Sequence, residues 1–290
     1  MVRPLSAEQS LKLGFSFNKN LYSNLDIYRQ ATINQDYDCV VLIDGGEGKG
    51  KSVLGMQVGY MLDKDNHIDI ETQICYTPEQ LKKAITTLPK HKAIIFDEAR
   101  RGFNRRRSTQ DVNIDLTDLF AECRQNNLFL IIIMPTFYDM DMNMAVWRSR
   151  ILIHVKSAWD LSNKEKPLLR GFARLYTEQG KMSLYTNKLW RMQYRYPLIT
   201  NESFDFTFPH FYVVDEQVYR DKKRFSEEFY RNKNKSVNKY QDLVGAVDFL
   251  KKNKYLKSGA ITALINEFLG VTEQAWSKYK SKLNSSKDTL

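Results

Sequence analysis

The residues best equipped for chemistry are Gly45, Gly46, Glu47, Gly48, Lys49, Gly50, Lys51 and Ser52. They fit the phosphate-loop spacing G-x-x-x-x-G-K-S. Glycine accepts positive φ, so a chain this rich in it can turn several N–H groups round one concavity. A helix starting at Lys51 would add its positive N-terminal end, which favours a polyphosphate. In that setting Lys51 reaches the β- and γ-phosphates, and the Ser52 hydroxyl becomes a ligand for Mg²⁺. The chemistry implied is phosphoryl transfer from ATP.

A second group lies about 45 residues on. Ala93-Ile-Ile-Phe96 is a short apolar run, and it ends in the adjacent carboxylates Asp97 and Glu98. If that run is a strand parallel to the phosphate-loop strand, Asp97 reaches the Mg²⁺ shell, the Walker B arrangement. Glu98 points to the other side of the chain, where it can orient and deprotonate an attacking water.

Polar and basic side chains near these motifs supply further candidates. Arg100, Arg101, Arg105, Arg106 and Arg107 crowd one short stretch, and their mutual repulsion needs an anion to offset it. Contact with DNA phosphates is one reading, a neighbouring subunit's nucleotide another, and a solvated loop the bland alternative. Thr136, at the end of the apolar run Leu128–Met134, is placed to sense a γ-phosphate or simply to make a turn. His154, inside an apolar stretch, reads as a core or edge residue rather than a base.

The elements that must position these groups follow from patterning. Cys39–Ile43 and Leu128–Met134 are apolar runs fit for strands buried on both faces. Ile70–Tyr76 and Arg148–Val155 read as further strands. Thr77-Pro78-Glu79-Gln80 is a helix start, with Thr as cap and Pro in the first turn. Gly171–Tyr185 alternates about Gly180 and predicts a β-hairpin. The aromatic-rich stretch from Trp190 to Tyr230 is expected to pack on the sheet or on an adjacent subunit. These readings place an ATPase domain at 1–230, with its motif core at 38–156 and a hairpin and aromatic extension at 168–230. A linker at 231–236 and a small helical domain at 237–290 follow. Within the latter, Leu264–Tyr279 has the pattern of a helix-turn-helix, with Gly270 at the turn and Lys278 among the residues facing a groove.

Composition narrows the class. The longest apolar run falls far short of the ~20 residues a membrane span needs, and no signal peptide is visible at the start, which points to the cytoplasm. Cys39, Cys75 and Cys123 lack metal-ligand spacing and read as reduced core residues. Net charge is +10, and from Arg220 to Leu290 there are 16 Lys+Arg against 8 Asp+Glu. Such a one-sided basic surplus suggests a polyanionic partner, DNA first among them.

The phosphate loop, the Ile94–Ala99 strand end and Cys123-Arg-Gln-Asn-Asn-Leu-Phe-Leu-Ile-Ile-Ile133 occur in that order. Together they resemble the FtsK–HerA group of P-loop ATPases, especially its zonular-occludens-toxin-like and viral packaging branches. The resemblance implies an α/β, RecA-like core with a mostly parallel sheet and a strand inserted between the phosphate-loop and Walker B strands. It also implies a hexameric ring that threads DNA. In that group an arginine at the start of the strand after Walker B serves as a finger to the neighbouring nucleotide. Arg124 fits that position, with Arg148 and Arg150 as reserves. The group has a Gln at the strand tip where this chain has Met134-Pro135-Thr136.

The expectation is a Mg²⁺-dependent ATPase that translocates or packages double-stranded DNA. Lys51, Glu98, Arg124 and Thr136 would be catalytic, Ser52 and Asp97 would hold the metal, and Arg101, Arg105, Arg106, Arg107 and Lys278 would contact DNA. A replication helicase or helicase loader, or a nucleotide-switched DNA-binding assembly protein, would show many of the same features.

Overall fold

A computed structural model describes residues 17–97, 122–159, 162 and 168–226. The chain divides into two compact units, Met1–Lys223 and Arg224–Leu290. The expected linker and C-terminal helical domain lie outside the described residues.

One seven-stranded sheet organises the first unit. Its strands are β1 (Cys39–Asp44), β2 (Ile74–Cys75), β3 (Ala93–Phe96), β4 (Phe129–Ile133), β5 (Ile151–Trp159), β6 (Leu168–Tyr176) and β7 (Ser203–Thr207). They lie in the order β2-β3-β4-β1-β5-β6-β7. The five from β2 to β5 pair in parallel, and β6 and β7 add antiparallel to that edge. The order places β4 between β1 and β3, the inserted strand of a RecA-like P-loop core.

The apolar runs make this sheet because both its faces are covered. Alternate residues of one strand enter different cores. Val41 and Ile43 of β1 join Ile131 and Ile133 of β4 on one side, while Val40 and Leu42 join Leu130 and Ile132 on the other. Against the first face pack α1 (Lys19–Asn34) and α2 (Lys51–Leu62). Against the second pack α4 (Pro78–Thr87) and α5 (Glu178–Arg191). Helix α2 is buried nearly all round, as suits a helix clamped between α1 and the sheet. Gly55 permits its approach: a Cβ there would stand 2.5 Å from Ile133 Cδ1.

Three expectations need correction. The hairpin about Gly180 is instead β6 followed by α5. Thr177 caps that helix, Glu178 and the pair Lys188 and Arg191 suit its two ends, and Lys181, Leu184 and Tyr185 recur at helical spacing on its buried face. Gly180 serves close approach rather than a turn, since a Cβ there would lie 2.7 Å from the Glu202 carbonyl oxygen. β6 pairs antiparallel with β5 before it and with β7 after it. The strand expected over Ile70–Tyr76 begins instead as the one-turn helix α3 (Ile70–Gln73), capped by the Asp69 side chain, and only Ile74 and Cys75 pair. The strand expected from Arg148 starts at Ile151, because 143–148 forms a π-helical turn. The helix start at Thr77 holds: its side chain accepts from the Gln80 N–H at 3.1 Å.

Candidate nucleotide site

The loop between β1 and α2 sits at the carboxyl ends of the parallel strands, where open α/β sheets bind ligands. Gly45, Gly48 and Gly50 take φ of +136°, +70° and +100°. At Gly45 a Cβ would strike the Val155 carbonyl oxygen, so both the dihedral and the space require glycine. Gly50 is the N-cap of α2, with no side-chain cap and no acidic residue in the first turn. The leading N–H groups of α2 are therefore left for an anion.

Lys51 folds back over the loop, donating to the carbonyls of Gly45 at 2.6 Å and Gly46 at 2.8 Å. Burial pushes its amine down from the usual lysine range, while Asp97, Asp44 and Glu47 pull it back up. The Ser52 hydroxyl donates to Asp97 Oδ2 at 3.0 Å. Asp97 directly follows β3, with 2% of its surface exposed, so the two residues expected to hold a metal do meet.

Asp97 Oδ2 has two further donors, the Tyr219 hydroxyl at 2.7 Å and Lys223 Nζ at 3.0 Å. Both come from the helix at 216–226, here α6. A cavity of about 710 Å³ opens over the loop. Besides Lys51, Ser52 and Asp97, it is lined by Arg170, Phe208, His210, Tyr212, Arg220 and Lys223. Sequence reasoning missed this second group of lining residues. The aromatics interleaved with basic residues after Trp190 were its only signal.

Behind the loop lies a buried polar network. Asp44, the last residue of β1, accepts from the Phe137 N–H at 2.7 Å and from the Tyr196 hydroxyl, and meets His154 Nδ1 at 2.8 Å. The His154 and Tyr196 rings stack 3.7 Å apart. Thr136 joins this network: its hydroxyl shares a hydrogen bond with Tyr196 and accepts from the Tyr138 N–H. Its neighbours Met134 and Pro135, not Thr136, line the cavity.

Arg124 is exposed in a helical turn just ahead of β4, at the end of the sheet opposite the loop, so it does not serve the site of its own chain. Arg148 and Arg150 both face Asp38, at 3.1 and 3.8 Å, and Arg150 also meets Glu178 at 3.2 Å. Glu98, Arg101, Arg105, Arg106, Arg107 and Lys278 lie outside the described residues. The three cysteines are free and buried, and burial pushes each thiol up to about 12. No helix among the described residues is long and apolar enough to cross a membrane.

No protein-family model and no curated protein matches the chain. Among solved structures it is similar to the genome packaging NTPase B204 from Sulfolobus turreted icosahedral virus 2 in complex with AMPPCP, at 16% identity and TM-score 0.33, over 51% of this chain and 95% of that one. It is also similar to the N-terminal domain of zonular occludens toxin from Neisseria meningitidis, at 14% identity and TM-score 0.34, over 63% and 98% of the two chains. A third is a DNA replication initiation factor, at 12% identity and TM-score 0.32, over 84% and 72%. The first two bear the descriptions of the branches that the motifs resemble. At these scores the likeness carries no argument about residues or activity, and the site is read from this chain alone.

Proposed function

We propose that the protein is a Mg²⁺-dependent ATPase that drives movement of double-stranded DNA as a ring of subunits. The observation that carries the nucleotide reading is the Ser52–Asp97 hydrogen bond at 3.0 Å beneath an uncapped, glycine-turned helix start. A ligand for Mg²⁺ and its supporting carboxylate meet there, at the mouth of an anion-binding loop. The residues fit the pair ATP and Mg²⁺: the loop amides and Lys51 would hold the phosphates, and Ser52 with Asp97 would hold the metal. When bound, Mg²⁺ supplies neutralisation of the phosphate charge. The chain's own groups do the rest. Lys51 leaves the Gly45 and Gly46 carbonyls for the phosphates, and Glu98, next after Asp97, orients and deprotonates the attacking water. Arg124 reaches a neighbour's site from the far end of the sheet.

The DNA part rests on the basic surplus of the chain and on Arg101, Arg105, Arg106, Arg107 and Lys278. A steady-state ATPase assay with duplex and single-stranded DNA, beside a particle-mass measurement, tests the whole reading. Turnover should rise with duplex DNA and vanish in Glu98→Gln, and the mass should become that of a ring. Binding without turnover would favour a nucleotide switch, stimulation by single strands alone a helicase or its loader, and a monomer under all conditions would remove Arg124 as a finger.

A further inference from the structure

The nucleotide reading above leaves Lys223 unexplained. Its ammonium lies 3.0 Å from Asp97 Oδ2, the same oxygen that Ser52 and Tyr219 approach. Its helix is fixed from two sides. Lys222, one residue earlier, donates to the main-chain carbonyls of Ile70, Glu71 and Ile74 at 2.5, 3.0 and 3.1 Å, anchoring α6 to the edge of the sheet at α3 and β2. Tyr219, one turn back, is buried against Tyr76 and Tyr212 and holds Asp97 through its hydroxyl. Residues 222 and 223 thus face different targets from a helix held in place, and Lys223 lines the same cavity as Lys51.

We propose that Lys223 is a phosphate-contacting residue of the nucleotide site, contributed in cis by α6 and aimed by Tyr219. Two ammonium groups then flank the phosphate seat, Lys51 on the loop carbonyls and Lys223 on Asp97. A divalent cation beside Asp97 repels the Lys223 ammonium, while a triphosphate attracts it. The move needs only rotation of a flexible four-carbon side chain, because α6 is already docked. Metal and Lys223 therefore compete for Asp97. The proposal rests on the nucleotide reading and adds to it a cation from this chain's own C-terminal side, independent of any neighbour's arginine.

The test measures ATP binding by the full chain, by calorimetry, in EDTA and across a Mg²⁺ titration, for the wild type, Lys223→Met and Lys223→Arg. Thermal unfolding checks that each variant is folded. Loss of one charge-assisted phosphate contact should weaken metal-free ATP binding about tenfold in Lys223→Met. That variant should also need less Mg²⁺ for half-maximal effect, since Asp97 no longer has a competing partner. Lys223→Arg should restore metal-free binding. Equal metal-free affinity and equal Mg²⁺ dependence in Lys223→Met, with wild type still binding Mg²⁺–ATP, would overturn the role of Lys223 and leave the nucleotide reading standing. Wild-type protein that binds no ATP under any condition would overturn both.

Discussion

The side-chain amide of Gln57 donates to the carbonyl of Pro209 at 2.9 Å, and to that of Phe211 at the same distance. Gln57 sits on α2, directly behind the phosphate loop, and is 1% exposed. It ties the helix that presents the loop to the segment that brings Phe208, His210 and Tyr212 to the cavity. Gln57→Leu keeps the volume and removes both donors, leaving two carbonyls without that partner. Unfolding by denaturant should show a loss of about 2 kcal/mol. Nucleotide affinity should fall with it, because Phe208, His210 and Tyr212 lose their anchor. A variant as stable as wild type would mean that the segment is held by other contacts.

The loop itself makes a sharper prediction. Lys51→Ala should weaken ATP binding by about tenfold or more and abolish turnover. Asp97→Asn should retain ATP binding in EDTA yet gain little from added Mg²⁺, because the metal loses its supporting carboxylate. Titration of a fluorescent ATP analogue with and without Mg²⁺ separates the two variants. If Lys51→Ala binds as wild type does, the loop is not the phosphate seat.

Much of this site was legible in the chain because its core strands are continuous apolar runs. The expected strand at Ala93–Phe96 has the bounds of β3, and Leu128–Met134 contains β4, since a strand covered on both faces needs no alternation. Helix α1 was not legible: Leu21 and Leu25 are its buried apolar anchors among polar neighbours. Nor was α5, where Gly180 resembles a turn until the Glu202 carbonyl beside it is seen. Tyr219 and Lys223 lie 122 and 126 residues from Asp97. No local spacing signals a contact that only the docking of α6 brings about.

Acid should loosen the antiparallel edge. Asp205 of β7 accepts from Arg174 Nε and Nη2 at 2.6 Å each and meets Lys156 Nζ at 2.6 Å. The Arg174 hydrogen bonds, with help from Lys156, pull its carboxyl down to about 2. A depressed carboxylate contributes stability above the unfolded value of about 3.9 and loses it as pH falls through the folded one. The affected window is therefore about pH 4 to 2. Asp205 is 48% exposed, so solvent screening keeps the contribution within about 1 kcal/mol. Asp205→Asn should be slightly less stable at neutral pH and should lose less than wild type across that window. Parallel acid-unfolding curves would contradict the ion-pair account.

Lys181 should give a slope of the same sign, but at high pH. Its side chain is fully buried on α5, with Nζ donating to the Val146 carbonyl, to the Ser149 carbonyl and to the Ser149 hydroxyl. These bonds close the π-helical turn at 143–148 against α5. Burial pulls the amine down to about 7, with Glu178 the main opposing influence. A lysine lowered on folding binds fewer protons than the unfolded chain between that value and about 10.4. The cost of burying the charge is present in full below about pH 7, and stability from this residue rises as pH climbs through the window. Lys181→Met removes the titration but strands the oxygens that Nζ satisfies, so it should be less stable at pH 9 and closer to wild type at pH 6. Denaturant midpoints at the two pH values decide it. A gap between variant and wild type that does not widen with pH would show that Lys181 stays charged, held by its three oxygen acceptors.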